Sequence, residues 1–453
     1  MVEDVLEEQG LYDPLLQKMM AAYSGDTSTW AGVNRRLRDA MVEFAASRSP
    51  YYRRVVSDAA GRFDRLPILT KALIRQHRDE LFAEGVPEWR RIRRTTSGST
   101  GEPMTFFRDL SQGPLENRSA RRFLLWLHGI PPGARMVWIT TNPQLHTGPP
   151  PRRGWRERLL RSHPEEEFHG ISTVGLTLRG LRRHLAAVAR YPRYWIYGHA
   201  SIIDWVADRI ESDGLPVDRL PAAVVTTSDQ LTPLADARIS RVFRCPVHSW
   251  YGSHEFNGYV AGTLPGTRRY AFNPLLVHAE VVDEEGRPVP PGGMGRLVLT
   301  DLNNYVFPFI RYETGDGATL SEEGFVGGFP LMDELEGRSS ERLEFPSGRT
   351  VSGVSLGGYL MQVHDFSPLV RFYQCAQVGP NEVELRVVWA RTPTEEERRA
   401  LADALRRLTD PDTAIAIRDV TEIERFASGK AWIVRRLFDG RGDEVPSEAA
   451  PGR

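Results

Sequence analysis

Between Arg135 and Phe243 short β-rich runs alternate with amphipathic helical ones, and this alternation constrains the fold more than any other feature of the chain. Arg135 to Thr140 reads as a strand, Thr177 to Ala189 as a helix and Tyr194 to Ile196 as a strand. A helix from Ala200 to Asp213, a strand from Ala222 to Thr227 and a helix around Leu234 to Phe243 follow. Strands separated by helices pack as a largely parallel sheet with helical layers, so an α/β layered domain is predicted. The chain has 453 residues, enough for two or three compact units at roughly 150 residues each.

The flanks depart from this pattern. Residues 1 to about 90 carry Trp30, Val33, Leu37, Met41 and Phe44 at helical spacing before a break at Leu66-Pro67, which predicts a helical N-terminal cap. From about 275 to 330 runs shorten and turns thicken, as in Val282 to Gly286 and Pro290 to Gly293, and an antiparallel segment is predicted. A smaller α+β unit is expected from about 338 to 438, and the polar residues 439–453 are expected to be disordered. Between Asn142 and Ile171 the pattern lapses into Pro, Gly and Arg, including Arg152, Arg153, Arg156, Arg158 and Arg161. That stretch reads as a solvated surface excursion, with a lid or a dock for an anionic acceptor as the functional alternative.

Charge narrows the partners. Lys plus Arg total 58 against 59 Asp plus Glu, so there is no bulk electrostatic attraction to nucleic acid or to an anionic membrane, and a small molecule is the default ligand. Two cysteines, Cys245 and Cys375, are too few for a disulfide framework or a four-thiolate zinc site; both are expected to be buried apolar residues in a reducing, cytoplasmic setting. Met1 to Gln9 lacks a basic start, so no secretory signal is expected, and no run approaches the roughly 18 apolar residues of a membrane span.

Thr95-Thr96-Ser97-Gly98-Ser99-Thr100-Gly101-Glu102-Pro103 places hydroxyls and glycines between the predicted strands Arg91 to Arg94 and Met104 to Phe107. Glycine lets backbone approach an anion, and hydroxyls with amide N–H groups turn toward phosphate oxygens. The spacing is neither that of a P-loop nor that of a dinucleotide fingerprint, and taken alone the segment also reads as a Ser/Gly turn. Other stretches are ambiguous in isolation. Thr226-Thr227-Ser228-Asp229 ends a predicted strand, where ligands gather in α/β sheets, yet Ser228 or Asp229 also suits a helix N-cap. Trp250-Tyr251-Gly252-Ser253-His254-Glu255 follows a strand-like Pro246 to His248. Phe309-Ile310-Arg311-Tyr312-Glu313-Thr314-Gly315-Asp316 sets an aspartate on a Gly turn, and Ala427-Ser428-Gly429-Lys430 ends in a lysine that chance alone makes a surface residue.

Taken in order, these stretches resemble the motifs of the adenylate-forming superfamily of acyl-CoA synthetases, luciferases and peptide-synthetase adenylation domains, over roughly residues 60 to 435. The wording TSGSTGEP, with Leu66 to Lys71 and Tyr197 to Ser201, is most similar to the phenylacetate-CoA ligase-like branch. The resemblance implies a large N-terminal α/β domain, residues 1–336, with layered sheets and the helical cap, and a small mobile α+β C-terminal domain, 337–438. It implies that Thr96, Ser97, Gly98, Ser99, Thr100 and Gly101 hold the phosphates of ATP. Thr227, Ser228 and Asp229 would wrap the adenine, with Tyr251 and Gly252 beside it, and Asp316 would accept both ribose hydroxyls. Glu255 would hold Mg2+. Arg338, in Gly337-Arg338-Ser339-Ser340, would mark the hinge, and Lys430 would bridge the carboxylate and the α-phosphate.

Several positions depart from the pattern: Glu102 stands where a lysine is usual, His254 where a hydroxyl is, Glu313 where an arginine is, with Arg311 as a nearby cation, and Ser340 where Asp or Lys is. Trp138, Trp250, Gly252, His254 and Gly258 are candidates for the carboxylate pocket. The implied function is ATP-dependent conversion of an organic acid, aromatic or acyl, to acyl-AMP, then transfer to an acceptor thiol, coenzyme A, or to an amine. A nucleotide-binding scaffold without turnover is the alternative of another class. Gly353-Val354-Ser355-Leu356-Gly357 fits a hydrolase nucleophile elbow, but His364 is the only later histidine and no acid lies between it and Ser355.

Overall fold

The computed structural model describes residues 13–95, 104–110, 113–140, 168–173, 176–228, 231, 233–336, 342–347, 350–352, 369–389, 391–421 and 434–437, with Leu356, Leu360 and Phe366. The glycine loop from Thr96 to Pro103, the Arg-rich residues 141–167, Asp229, Gly337 to Ser340, Gly353 to Ser355, Lys430 and the polar tail lie outside them. The described residues gather in two compact units, one made of those within 1–97, 103–131 and 248–337, the other of those within 132–247 and 338–453.

The first unit opens with α1 (Pro14–Ser24), α2 (Thr27–Arg48), α3 (Pro50–Asp58) and α4 (Lys71–Gln76). Each start is capped by a side chain: Asp13 accepts from Leu16 N at 3.0 Å and Asp26 from Thr29 N at 2.8 Å, while Ser49 and Thr70 cap the other two. The helical spacing of Trp30 to Phe44 therefore is α2, which buries Met41 and half-buries the rest. Its buried face also holds Asn34, whose amide donates to the carbonyls of Pro274 at 2.7 Å and Val277 at 3.0 Å. A hairpin of β1 (Arg91–Thr95) and β2 (Thr105–Asp109) and helix α5 (Gly113–Leu127) complete this part.

The alternating region belongs to the second unit and forms parallel strands in the order β6-β5-β3-β4: β3 (Arg135–Thr140), β4 (Phe168–Ser172), β5 (Tyr194–His199) and β6 (Val224–Thr227). The connecting helices are α6 (Leu178–Val188), α7 (Ala200–Ser212) and α8 (Pro233–Phe243). Val137, Ile196, Val206, Val224, Ile239 and Phe243 pack together in the core. One boundary differs from the sequence expectation: Phe168 to Ile171, assigned to the Arg-rich loop, is β4. Its hydrogen bonds come from pairing with β3, a long-range contact that local composition does not encode.

The predicted antiparallel segment is present in the first unit, where the order β10-β11-β12-β13-β9-β8-β7 is antiparallel throughout. The strands are β7 (Val247–Ser253), β8 (Gly258–Thr263), β9 (Tyr270–Phe272), β10 (Val277–Val282), β11 (Met294–Asp301), β12 (Tyr312–Val326) and β13 (Phe329–Glu336). Two neutral histidines tie these strands to the helices. His128 accepts from Trp250 Nε1 at its Nδ1, 3.0 Å, so its Nε2 carries the proton and donates to the Thr263 carbonyl at 2.8 Å; its ring stacks on His248 at 3.8 Å. His278 meets Asn34 Oδ1 at 2.6 Å.

Burial first, and then the His248 ring beside His128 and the Arg38 guanidinium beside His278, push the two down to about 3 each. Unfolded histidine titrates near 6.5, so between that pH and about 3 the unfolded chain binds more protons and stability falls as pH falls. At pH 5 these two groups together should remove on the order of 4 kcal/mol. Urea unfolding at pH 7.5 and pH 5 measures this; equal stabilities at the two values would show that the two imidazoles are not held neutral.

The remaining strands, again in the second unit, are β14 (Arg342–Glu344) paired with β15 (Thr350–Ser352), and a mixed sheet β18-β17-β16-β19. That sheet comprises β16 (Val370–Gly379), β17 (Glu382–Trp389), β18 (Ala414–Asp419) and β19 (Val434–Arg436). Helix α9 (Glu395–Leu408) starts with a capping box in which Thr394 and Glu397 bond each other's backbone N–H at 3.2 and 2.8 Å. Strands and a helix thus mix over the described residues between 342 and 436. Cys375 is fully buried in their core; Cys245 is only partly buried, and burial pushes its thiol up to about 12. Among the described residues no helix is long and apolar enough to cross a membrane.

Candidate functional site

The segment Trp250 to Glu255 lies within β7 and the turn after it, rather than beyond the strand: β7 runs to Ser253 and residues 254–257 form a tight turn into β8. The glycines at 252 and 258 are dictated by that geometry. A Cβ on Gly252 would come 2.0 Å from the Gly258 carbonyl oxygen, and Gly258 has φ +127 with a would-be Cβ 2.2 Å from Asn117 Nδ2. Asn117 of α5 donates to the Asn257 carbonyl at 2.5 Å and holds the turn in place. His254 is exposed on it, and Glu255 turns inward to 8% exposure.

Glu255 is held from two sides. Its Oε1 accepts from the Tyr312 hydroxyl at 2.9 Å, and its backbone carbonyl accepts from Arg108 Nη1 at 2.9 Å. Arg108, at the end of β2, also forms a buried ion pair with Asp301. Glu255 has no ion-pair partner among the described residues. A nearly buried carboxylate without a paired cation is a group that could hold a hard divalent cation. Among the described residues no group of three or more His, Cys, Asp or Glu is placed to hold a metal ion, so most other ligands of such a cation would have to be phosphate or water oxygens.

Tyr251 points to the other carboxylate. Its hydroxyl donates to Asp316 Oδ2 at 2.6 Å and its ring lies 5.7 Å from that of Phe272. Burial of the hydroxyl, then the Asp316 charge, pushes the phenol well above its usual range. Asp316 is not on a turn, as the sequence suggested, but inside the 15-residue strand β12. A β-bulge there shifts the register against β11, Gly315 takes φ +87, and Thr314 Oγ1 accepts from Asp316 N at 3.1 Å. The strand is too long to be foreseen from a Gly-Asp pair that normally reads as a turn.

Arg311 does not serve as a free cation beside Asp316. It is 2% exposed, has φ +51, pairs with Glu280 at 3.2 Å, and donates to the carbonyls of Leu66 and Gly286, each at 2.8 Å. Glu313, in the position of the usual arginine, bonds Arg296 at 2.7 Å. The stretch Leu66 to Lys71 meets this strand as well: Leu69 N donates to the Arg311 carbonyl at 2.9 Å and Glu313 N to the Leu69 carbonyl at 3.1 Å.

The remaining candidates separate. Trp250 is 2% exposed and bound to His128, with Tyr259 4.9 Å away, so its indole is committed to packing within the first unit. In the second unit Thr227 ends β6, and Ser228 is exposed with φ +70. An N-cap residue sits in the extended region immediately before its helix, so Ser228 is not the cap of α8. A non-glycine residue in the left-handed region at the C-terminal end of a parallel strand is a feature of ligand sites. Trp138 of β3 is half-buried, 5.3 Å from Phe168 and 6.0 Å from Tyr197. Thr96 to Gly101, Asp229, Arg338 and Lys430 lie outside the described residues. Sequence reasoning missed Arg108, whose only local signal is a charge ending the apolar run Met104 to Phe107.

No family profile matches the chain. Among curated proteins it is 21% identical over 264 residues to Protein CapK of Staphylococcus aureus, covering 57% of this chain and 54% of that protein. It is 30% identical over 223 residues to the acetyl-coenzyme A synthetase of Pyrobaculum arsenaticum, covering 43% of this chain and 30% of that one. The chain thus spans about half the length of the first of these relatives and less of the second. Among solved structures, 2-hydroxyisobutyryl-CoA ligase with 2-HIB-AMP and CoA in the thioesterification state aligns with a TM-score of 0.58 at 16% identity, over 92% of each chain. The same enzyme with 2-HIB-AMP in the postadenylation state aligns at 0.57, over 92% of this chain and 91% of that one. The chain shares the fold of these solved ligase structures.

Proposed function

We propose that this protein is an adenylate-forming ligase of the phenylacetate-CoA ligase-like branch, which converts an organic carboxylate and ATP to acyl-AMP and pyrophosphate and then passes the acyl group to coenzyme A. The observation that carries the reading is the meeting, in one unit, of two motifs distant in sequence: Tyr251 with Asp316 and Tyr312 with Glu255. A ribose carboxylate and a cation carboxylate set by adjacent strands suit a nucleotide, and the fold is one that solved acyl-AMP complexes share.

In this reading Asp316 accepts the ribose hydroxyl protons, Tyr251 and Thr227 to Asp229 border the adenine, and Thr96 to Gly101 cradle the phosphates. Magnesium, when bound, neutralises phosphate charge, and Glu255 would hold it together with phosphate oxygens. Lys430 stabilises charge developing at the α-phosphate as the carboxylate attacks. Residues 337–438 move as a domain about Gly337-Arg338, first bringing in Lys430 and then admitting the acceptor. Trp138, His254 and Gly258 border the carboxylate.

Pyrophosphate release with a panel of aryl and acyl acids tests the first half-reaction. Release is expected with at least one acid, and the mass of the product formed with CoA or with amines identifies the acceptor. ATP binding without release for any acid would point to a scaffold that binds nucleotide without turning it over; an amide product would replace CoA by an amine.

A further inference from the structure

The two motifs interlock through their tyrosines. Tyr251 stands four residues before Glu255 and Tyr312 four before Asp316. Each phenol reaches across to the other motif's carboxylate: Tyr251 to Asp316 Oδ2 at 2.6 Å, Tyr312 to Glu255 Oε1 at 2.9 Å. Two Tyr-x-x-x-carboxylate segments therefore cross, each supplying the donor that orients the other's acid. Tyr312 is 1% exposed and its ring is wedged against Phe309 at 5.1 Å and Phe256 at 6.0 Å, so its hydroxyl has little freedom to follow another partner.

We propose that Tyr312 is a positioning residue for Glu255 and Tyr251 one for Asp316, the pair forming a reciprocal brace that sets both carboxylates toward one nucleotide-cation ligand. The inference rests on the nucleotide reading above. A carboxylate that accepts a phenol proton at one oxygen is fixed in plane and presents its other oxygen in one direction, and outer partners of this kind govern metal affinity by about 10- to 100-fold. Loss of the Tyr312 hydroxyl lets the Glu255 carboxylate rotate and leaves Oε1 unsatisfied in a buried place. Loss of the Tyr251 hydroxyl removes the donor that orients Asp316 Oδ2, on the group that in this reading distinguishes a ribose with hydroxyls from one without.

The test uses the full-length protein and two isosteric variants, each checked for folding by its thermal melt. Mn2+ binding in the presence of ATP is followed by the free-ion electron paramagnetic resonance signal, and metal-free ATP binding by calorimetry. Tyr312→Phe should weaken Mn2+ binding by about 10- to 100-fold while metal-free ATP binding holds. Tyr251→Phe should reduce the preference for ATP over 2′,3′-dideoxy-ATP by about tenfold or more. Wild-type Mn2+ affinity in Tyr312→Phe overturns the Glu255 half, and an unchanged ribose preference in Tyr251→Phe overturns the Asp316 half, each with the nucleotide reading intact. A wild-type protein that binds no ATP overturns that reading and the brace together.

Discussion

Replacing Arg108 by alanine is expected to lower the free energy of unfolding by about 3 to 5 kcal/mol, the usual result of removing one partner from a buried ion pair. Arg108 and Asp301 are each 2% exposed, and the Asp301 carboxylate also accepts from the backbone N–H groups of Asn303 at 2.9 Å and Asn304 at 3.1 Å. Without the guanidinium that buried carboxylate loses its ion-pair partner. The Glu255 carbonyl loses its donor at the same time. Neutralising the orphaned acid in Arg108→Ala/Asp301→Asn should recover part of the loss but not all, since Asn offers a weaker acceptor to the same amides. Urea unfolding of the two variants measures both effects; an Arg108→Ala midpoint equal to that of the wild type would mean that the pair does not form.

Lys430→Ala is the second change with a large expected effect. It should reduce acid-dependent pyrophosphate release by about 10²- to 10³-fold, the cost of removing one preorganised donor from developing charge, with ATP binding nearly unchanged. The expectation follows from the proposed reaction and from one departure in the phosphate loop: Glu102 stands where a lysine is usual, so the loop would rely on backbone dipoles and hydroxyls. Lys430 then carries more of the positive charge in the proposed site. Comparing kcat for pyrophosphate release with the ATP dissociation constant separates the two roles, and a variant with undiminished kcat removes Lys430 from the chemistry.

The sequence was most informative where period and cap agree. Arg135 to Thr140 is a strand at the predicted residues, and the predicted helix Thr177 to Ala189 is α6 with Thr177 as its N-cap and Ala189 as its C-cap. It was least informative where backbone conformation depends on a distant partner. Gly315-Asp316 has the composition of a turn, yet the residues on either side pair, Tyr312 and Glu313 with β11 and Gly317 with β11 and β13, and the two are carried inside the strand as a bulge. Arg311 looked like a cation for the site because it is near in sequence; carbonyls from residues 64, 66 and 286 instead claim its guanidinium. The site residues followed the same division. Tyr251, Glu255 and Asp316 are candidates that a motif names, but the crossing of the phenols and the anchor at Arg108 arise from three-dimensional pairing that no local pattern records.

The stitching of Leu66 to Leu69 onto the strand at Arg311 to Glu313 has a consequence for the order in which the molecule is made. The guanidinium that binds the Leu66 carbonyl lies 245 positions later in the chain. At about 5 to 20 residues per second on the ribosome, the N-terminal helices wait on the order of ten to fifty seconds for the partner that completes them. The parallel strands β3 to β6 and their helices are all synthesised within that interval. The stretch around Leu66 is therefore sealed only after those strands and helices have been made.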